Sequence, residues 1–538
     1  MSTTLMVVIG AIILFVGYVF YGKYLAEKVF VLDPKAKTPA ETLYDGVDYV
    51  PTPAPVLLGH HFASIAGAGP ITGPIAAAAF GWLPVFLWIV IGSVFFGGVH
   101  DFSALIASAR HDGKSIGEVV RAHIGERGQF FFLCFSYLAL VLVVAVFAIL
   151  VVNTFVAVPA VATTSILFII LAVGFGLAIN RYKAPLGVST VIGVILLFLC
   201  VWIGVQLPIQ ASATFWTWFC LVYIAAASIL PVWILLQPRD YLNSFLLYTS
   251  LIGALVGLII GNPSLEFPAF ITWKTGAGPL FPMLFVTVAC GAISGFHSLV
   301  SSGTTAKQLA NEKDAKLIGY GSMLIEGLLA LVALATVAYL SKDGYAKALA
   351  DMGGPTGVFS AGVGQFMSHF GIPVAFGTTF GALAVNAFCL TSLDTATRLG
   401  RYAWEEFFST RVPSLADKYI GTFVTVALAG ALALSGNWAA IWPIFGSANQ
   451  LLAALALLTV SVWLTSLNRD RRPTMYPMFF MFAATLTALV FLIRDNLAKG
   501  NMVLGIPGIL LFVLAIFLVI EANKVLSKMK DEKPGVGA

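Results

Sequence analysis

The chain has 538 residues, of which 59% are hydrophobic and only 10% are charged, with a mean hydropathy of +0.94. Because soluble domains carry about 25% charged residues, this composition excludes a water-soluble enzyme, a disordered chain and a secreted disulfide scaffold. The net charge of +5 is small and gives no indication of a nucleic-acid partner. Five cysteines lie in apolar runs without a CxxC pair, so neither disulfides nor a thiolate metal site is indicated. The composition is that of a polytopic membrane protein.

Fifteen apolar runs are long enough to cross a bilayer, which takes about 20 residues per helix. We therefore predict an all-α membrane protein with about fifteen transmembrane helices. The first run has no basic segment before it and no small-residue cleavage site after it, which favours a retained helix over a signal peptide. The runs are 4–22, 54–80, 83–109, 129–156, 162–180, 186–207, 215–237, 243–261, 281–305, 317–340, 372–395, 418–436, 439–464, 476–494 and 502–523.

The distribution of Lys and Arg predicts the orientation of these runs, because both residues favour cytoplasmic loops. With the N-terminus outside, the cytoplasmic segments hold 25 of the 30 basic residues. Arg239 is counted among them, as the basic residue between the seventh and eighth runs. We therefore predict a multi-pass protein of the bacterial inner membrane with its N-terminus outside and its C-terminus in the cytoplasm.

The run 54–80 is unusual because it contains several helix breakers close together. Proline removes a helical hydrogen bond and glycine weakens the helix. An unwound backbone is tolerated at membrane depth only where it is buried in protein or lines a wet cavity. Two histidines and Ser64 lie beside the breakers, so the pattern predicts an unwound binding segment. The breakers are Gly67, Gly69, Pro70, Gly73 and Pro74.

Inverted repeats in transporters place a second discontinuous helix at the corresponding position of the other half. Five runs after 54–80, the run 215–237 carries Ser228 and Pro231 in its interior. A structural proline kink explains this pattern equally well. We predict a 5+5 inverted-repeat core with additional helices on both sides of it. The predicted parts of the chain are an N-terminal helix with a cytoplasmic connector (1–53), a first repeat (54–207), a second, inverted repeat (208–400), and four additional C-terminal helices with a cytoplasmic tail (401–538).

Several ionisable residues lie inside the runs, where a charge is costly and therefore marks a candidate functional site. Counting the helical rise places His61, His100, His297 and Glu326 at about 9–14 Å from the cytoplasmic ends of their helices. We expect His61, His100, Asp101 and His297 to meet in one cluster. Such a cluster can bind a proton, or it can hold a divalent, zinc-like metal ion. Hydrogen-bonded packing without function is a third interpretation.

The run 281–305 carries a polar stripe at helical spacing. Ser294, Ser298, Ser301 and Thr305 fall on one face of the helix. Hydroxyl groups often join membrane helices through hydrogen bonds, and the same groups can coordinate a cation or an anionic substrate. The neighbouring His297 favours a functional interpretation.

Asp394 has a simpler interpretation than the other acidic residues. It lies near the predicted cytoplasmic end of its run, with Arg398 one helical turn later. Opposite charges at this spacing form local ion pairs. We therefore expect an Asp394–Arg398 pair close to the interface.

Five stretches resemble the carbon starvation protein A family. The resemblance extends over about residues 5–465, and the first stretch is especially specific. The stretches are 59–70 (GHHFASIAGAGP), 98–102 (GVHDF), 293–298 (ISGFHS), 392–398 (SLDTATR) and 442–450 (WPIFGSANQ).

This resemblance implies an inner-membrane importer for peptides or, in some members, for pyruvate with protons, expressed during carbon starvation. It also implies the LeuT-like fold of amino acid–polyamine–organocation transporters, whose first and sixth core helices hold the substrate while the eighth flanks the coupling-ion site. These helices correspond here to 54–80, 215–237 and 281–305. The expected substrate-binding residues are Ser64, Gly67, Gly69, Pro70, Ser228, Pro231 and Ser298. The expected coupling-ion or proton residues are His61, His100, Asp101, His297 and Ser301.

Two other functions stay open at this point. A nutrient sensor would bind the substrate without transporting it, and a metal-dependent intramembrane enzyme would use the histidine layer. The broken helix and the absence of a phosphate-binding GxxxxGK[ST] loop favour a secondary transporter, and the absence of an HExxH pair argues against the enzyme. For a sensor, the cytoplasmic loops offer no signalling domain, although a partner could supply one. Peptide and pyruvate remain alternatives as substrates. A zinc-like ion bound by the His/Asp layer is the one metal site that the sequence suggests.

Overall fold

In the computed structural model, residues 2–409, 411–434 and 438–531 are described, and they are mostly helical. The helices are α1 (Thr3–Val29), α2 (Ala54–Ile65), α3 (Gly69–Phe80), α4 (Trp82–Ala109), α5 (Ile116–His123), α6 (Glu126–Ala157), α7 (Pro159–Asn180), α8 (Leu186–Gln206), α9 (Ala213–Ile229), α10 (Leu236–Gly261), α11 (Leu280–Val288), α12 (Gly295–Val300, continued by a π turn at Ser301–Thr305), α13 (Glu312–Ala338), α14 (Lys342–Asp351), α15 (Pro355–Ser368), α16 (Val374–Ser409), α17 (Lys418–Ala433), α18 (Trp438–Ser466), α19 (Arg472–Ala498) and α20 (Met502–Asp531). A one-turn helix (Pro39–Thr42) and a short antiparallel hairpin of β1 (Lys274–Thr275) and β2 (Gly278–Pro279) lie in loops.

The predicted membrane runs are found in this structure. Among the described residues, twelve helices are long and apolar enough to span a bilayer, and the bent pair α2–α3 makes a thirteenth. The apolar helices α9 and α17 have 17 and 16 residues, which corresponds to a length of about 25 Å. Each of the fifteen predicted runs matches one of these elements. The end of the run 418–436 and the tail after Asp531 lie outside the described residues.

Loop contacts divide the connections into two faces. On one face, Thr3 N–H donates to Pro263 O (2.9 Å) and Phe267 N–H donates to Ala338 O (3.1 Å). On the other face, Thr52 N–H donates to Gln308 O (3.0 Å). The connector after α1 and the loop after α12 therefore lie on one side, as the alternation of the predicted runs requires.

Pairs of helices with similar lengths occupy equivalent places around the centre. The longest two, α6 (32 residues) and α16 (36 residues), pack against each other. The short helices α9 and α17 also pack together and contact both long helices. The helix that follows each short helix packs against one part of an interrupted helix. Helix α10 packs on α2, and α18 packs on α12. This arrangement surrounds the two interrupted helices α2–α3 and α11–α12.

The prediction of a discontinuous helix over 215–237 is wrong. Helix α9 ends at Ile229 and α10 begins at Leu236, so Pro231 lies in the turn between two helices and not in a helix interior. Because a proline disfavours helical geometry in the residue before it, Leu230 is extended (φ −66°, ψ 148°). Arg398 on α16 donates to Ala227 O (2.9 Å) and completes the end of α9.

The two interrupted helices cross at Gly73 with no room for a side chain. A Cβ at Gly73 would lie 2.6 Å from Val288 O and 2.7 Å from Thr287 O. Both atoms belong to the backbone of α11, so they cannot move aside as a flexible side chain would. The crossing therefore requires glycine on α3.

We predict that Gly73→Ala destabilises the protein by about 1–3 kcal/mol, because it overpacks a backbone crossing. Gly174→Ala is the matched control, since a Cβ at Gly174 in α7 meets nothing within 4 Å and alanine is the better helix former. Thermal unfolding in detergent measures both changes. Equal melting temperatures for the two variants would contradict the close approach of α3 and α11.

Candidate functional site

The first helix interruption separates α2 from α3 at residues 66–68 and bends the pair by 44°. Ala66 is non-helical (φ −75°, ψ 69°). Ser392 on α16 donates to the free carbonyl of Ser64 (2.9 Å), and Thr395 lies 3.3 Å from the Ser64 hydroxyl. The predicted unwound segment is thus found slightly earlier than expected, because Gly69 and Pro70 begin α3, where a proline needs no N–H donor.

A second interruption lies at residues 289–294, between α11 and α12. Ala289 has a positive φ (35°), which is unusual for a residue with a Cβ. Two side chains of α18 satisfy backbone groups beside the break. Asn449 Oδ1 accepts from Phe296 N–H (2.7 Å), and Gln450 donates to Phe285 O (2.7 Å). Sequence reasoning missed this break because 289–294 has no proline, although an Asn–Gln pair inside an apolar helix was a signal for it.

The two interruptions lie against each other in the centre of the protein. A Cβ at Gly69 would lie 2.5 Å from the sulfur of Cys290, and a Cβ at Gly291 would lie 3.6 Å from Pro70 Cα. At Gly67, the nearest atoms come from Phe147 on α6 and Ser392 on α16. Four helices thus meet around unwound backbone, the geometry in which membrane transporters hold a substrate.

The residues predicted to bind substrate fall into two groups. Ser64, Gly67, Gly69 and Pro70 lie at the first break and are buried. Ser298 lies on α12, one turn beyond the second break, and its hydroxyl donates to Gly295 O (2.7 Å). Ser228 and Pro231 do not join them, because they lie at the end of α9.

Ser228 instead pairs with another part of the protein. Its hydroxyl lies 3.2 Å from the hydroxyl of Thr422 on α17. Hydroxyl pairs of this kind commonly join membrane helices. The expectation that Ser228 and Pro231 belong to a helix break at the substrate site is therefore wrong, since α9 is not the interrupted helix.

Three of the four residues predicted to cluster do meet. His100 Nδ1 lies 2.8 Å from one oxygen of Asp101, and His297 Nδ1 lies 2.9 Å from the other. Glu326 on α13 joins this group, with one oxygen 3.4 Å from His297 Nε2. The four side chains are fully buried. They connect α4, α12 and α13 below the second break.

The other two predicted coupling residues lie beside this group. His61 Nδ1 lies 2.8 Å from the hydroxyl of Thr305 at the end of the α12 segment. The hydroxyl of Ser301 is buried and has no hydrogen-bond partner within the described part of the chain. His61 therefore contacts the same helix segment as the cluster but no acidic side chain directly.

The geometry of the cluster suits proton binding better than metal binding. An ionised carboxylate only accepts hydrogen bonds, so the rings of His100 and His297 both donate from Nδ1 to Asp101. Across residues 2–409, 411–434 and 438–531, no three His, Cys, Asp or Glu side chains are arranged to hold a metal ion. The zinc-like site thus stays a prediction without geometric support.

A second buried network was missed by sequence reasoning. His60 Nδ1 lies 2.9 Å from Asp240, and Arg239 forms an ion pair with Asp240 (2.6 Å). Arg239 also pairs with Asp394 on α16, which accepts a hydrogen bond from Tyr223 (2.6 Å). Arg239, Asp240 and Asp394 are fully buried.

Two predictions about these charges are therefore wrong. Arg239 is not in a cytoplasmic loop, because α10 begins at Leu236 and carries it inward. Asp394 does not pair with Arg398, because α16 continues to Ser409 and Asp394 faces Arg239 instead. Charge counting alone assigns a basic residue near the end of an apolar run to a loop. The adjacent Arg239–Asp240 dyad was the available signal for a buried pair.

We predict that Arg239→Met destabilises the protein by about 3–5 kcal/mol, because it leaves buried carboxylates without their cation. The double variant Arg239→Met/Asp394→Met should recover much of this loss, since a buried ion pair can be replaced by apolar side chains. Thermal unfolding of both variants in detergent measures the effect. A double variant as unstable as the sum of its two single changes would contradict the pairing.

Comparison with known proteins identifies the family. The family model for carbon starvation protein CstA matches residues 2–353 and 345–488. The chain is 34% identical to the pyruvate/proton symporter BtsT of Escherichia coli (strain K12), over 91% of this chain and 81% of that protein. It is 32% identical to the peptide transporter CstA of Bacillus subtilis (strain 168), over 98% of each.

Solved structures show the same fold at low sequence identity. A manganese transporter of Eremococcus coleocola superposes with a TM-score of 0.53 and 15% identity, over 90% of this chain and 99% of that one. This likeness confirms the LeuT-like transporter fold. Since the relatives are named as transporters, the chain is a membrane transporter and not an enzyme. It belongs to the carbon starvation protein CstA family.

Proposed function

We propose that this protein imports a carboxylate-bearing solute, either a peptide or a small carboxylate such as pyruvate, and couples import to protons. It would do so in the bacterial inner membrane, with its N-terminus outside and its C-terminus in the cytoplasm. The observation that carries the proposal is the meeting of two helix interruptions directly above a buried His–Asp–Glu cluster. Relatives named as a peptide transporter and as a pyruvate/proton symporter support the substrate class.

For the two inverted repeats we propose a division other than 54–207 and 208–400. We assign α2–α3, α4, α6, α9 and α10 to the first repeat, and α11–α12, α13, α16, α17 and α18 to the second. The matching order of interrupted, long and short helices supports this assignment. The repeats then cover 54–261 and 280–466, with the α7–α8 hairpin inserted in the first. The seven-span offset is odd, so the second repeat is inverted.

The substrate would lie between the two interruptions. Helix α3 begins at Gly69, so the positive end of its dipole faces the break. Pro70 has no N–H, and the N–H groups of Ile71 and Thr72 donate to Ala68 O (3.2 and 2.8 Å), so the dipole is the main feature of this helix end that favours a negatively charged ligand. Peptides and pyruvate both carry a carboxylate, so either can lie at this helix end. The buried hydroxyls of Ser64 and Ser392 add polar contacts at the same level.

Proton coupling would use the pair of His297 and Glu326. His297 donates from Nδ1 to Asp101, which leaves Nε2 facing the Glu326 carboxyl group at 3.4 Å. Within the described residues, neither Nε2 nor the two oxygens of Glu326 have a hydrogen-bond partner, so this pair can take up one proton between them. His297 lies on α12, directly after the second interruption. A substrate that moves α12 would change this contact and, with it, the affinity for the proton.

We predict that His297→Gln abolishes proton-driven accumulation but preserves exchange of the solute. Glutamine retains an N–H donor for Asp101 but does not bind a proton near neutral pH. Uptake of labelled dialanine or pyruvate into proteoliposomes under an imposed pH gradient measures accumulation, which should fall at least about tenfold, as removal of a coupling energy of over 1.4 kcal/mol would produce. Counterflow with an unlabelled internal solute measures exchange.

His369→Gln is the matched control, because His369 follows α15 on the opposite face and contacts Gly257 O. It should leave both measurements unchanged. Full accumulation by His297→Gln would disprove proton coupling through this residue. Absence of counterflow with either solute in the unmodified protein would contradict transport itself and favour a binding sensor.

A further inference from the structure

A cavity of about 240 Å³ lies towards the face that carries the connector after α1. Two groups of residues line the cavity on opposite sides. One side is formed by α6 and α16, with Ser136, Tyr402 and Glu406. The other side is formed by the α12 segment and the loop after it, with Ser302 and Lys307. The lining contains no residue of either helix interruption. In the proposed orientation, this cavity lies between the substrate site and the cytoplasm.

Asp48 of the connector links the two sides of the cavity, and its contact with Tyr402 and Arg398 is called the seam below. Its carboxylate accepts hydrogen bonds from the hydroxyl of Tyr402 (2.5 Å) and from Arg398 (3.2 Å), both on α16. The Arg398 side chain is almost fully buried. Arg398 also donates to Ala227 O (2.9 Å) and to Leu230 O, and Asp48 supplies its negative counter-charge. A buried guanidinium that lost this carboxylate would be costly.

The connector itself is attached to the loop after α12. Val50 N–H donates to Lys307 O (3.2 Å), and Thr52 N–H donates to Gln308 O (3.0 Å). Backbone hydrogen bonds therefore hold the connector on the loop after α12, while the Asp48 side chain reaches α16. If α2 and α12 move away from α16, the connector moves with them and Asp48 leaves its donors.

Lys307 places a positive charge in the cavity without a direct acidic partner. Its ammonium lies 4.3 Å from the ring centre of Tyr402 and 5.2 Å from that of Tyr49. Within the described residues, no carboxylate lies within 4 Å of it. Burial lowers the pKa of Lys307, but Tyr402, Asp48 and Tyr49 outweigh burial and raise it above its ordinary value. Lys307 is therefore charged at neutral pH.

The carboxyl group of Asp48 is charged as well. Burial raises the pKa of Asp48, but the positive charges of Lys307 and Arg398 and the hydrogen bond from Tyr402 hold it below its ordinary value. The closed seam thus contains a carboxylate held by a hydroxyl and a guanidinium, beside an ammonium group that has room next to it. A solute carboxylate in the cavity would find the Tyr402 hydroxyl and the Lys307 ammonium, since both residues line it.

We infer that this cavity is a release site for the carboxylate group of the transported solute, with Lys307 and Tyr402 as its donors and Asp48 as the carboxylate that replaces the solute when the path closes. The inference rests on the proposed transport function. Exchange of one carboxylate for another at the Tyr402 hydroxyl explains why an acidic residue, and not an apolar side chain, closes this seam.

The two candidate solutes differ in their fit to the opposite wall. Glu406 accepts a hydrogen bond from Ser115 (2.6 Å) and lines the same cavity. A peptide can place its ammonium group against Glu406, whereas pyruvate has no cation. Glu406→Gln therefore distinguishes the two sources of the shared carboxylate.

A cysteine reporter tests the release site directly. Ser136→Cys is introduced after Cys134 and Cys200, the half-buried cysteines, are replaced by serine. Inside-out vesicles are treated with a membrane-impermeant maleimide, with dialanine or pyruvate as the protecting solute. Labelling should be slowed by a transported solute, and Asp48→Asn should accelerate labelling in the absence of solute because it weakens the closed seam.

Lys307→Met should raise the concentration of solute that gives half-protection by about tenfold or more, the effect of losing a charge-assisted hydrogen bond. Lys307→Arg should retain protection, and Lys307→Gln repeats the test if the methionine variant fails to insert. Lys183→Met, on the exposed loop between α7 and α8, is the matched control. If Glu406→Gln loses protection by dialanine but not by pyruvate, the solute is identified as a peptide. If protection by both solutes is unchanged, the site recognises the carboxylate group of the solute and not its ammonium group.

The inference is overturned if Lys307→Met and Lys183→Met give the same half-protecting concentration. It is also overturned if no solute protects Ser136→Cys while the same protein carries out counterflow. That second result would leave the proposed transport function standing. Failure of counterflow in every variant and in the unmodified protein would overturn the transport function instead.

Discussion

Hydrocarbon offers no hydrogen-bond partner to a peptide group and no solvation to a charge, so each such group must find its partner inside the protein. The two helix interruptions of this transporter obey that constraint through polar residues on neighbouring apolar helices. Ser392 on α16 satisfies the first break, and Asn449 and Gln450 on α18 satisfy the second. The short polar motifs in α16 and α18 therefore supply hydrogen-bond partners to the backbone of the interrupted helices. They permit unwound backbone, which is where a substrate can bind.

The same constraint organises the buried charges on both sides of α2. His60 and His61 are consecutive, so their side chains point about 100° apart on the helix. His60 contacts Asp240 on α10, whereas His61 contacts Thr305 after α12. In the proposed repeats, α2 and α10 belong to the first repeat and α12 to the second. His60 thus links α2 to a helix of its own repeat, and His61 links it to the other repeat.

Sequence reasoning succeeded where a local pattern has one physical consequence. Apolar length predicted the membrane runs, clustered glycines and prolines predicted the first break, and the cost of burying a charge predicted the meeting of His100, Asp101 and His297. It failed where the decisive partner is distant in sequence. The second break has no proline and depends on side chains of α18. Asp394 has a suitable partner four residues later, yet it pairs with Arg239, because the packing of α16 against α10 overrides the local spacing.

In the proposed transport function, the two interruptions together form the substrate site. An experimental structure of the protein in a lipid nanodisc, determined with dialanine or pyruvate bound, tests this site most directly. Solute density is expected between residues 66–68 and 289–294, with both segments unwound. Continuous helices through these segments, or a solute bound only at a site that touches neither of them, would contradict it.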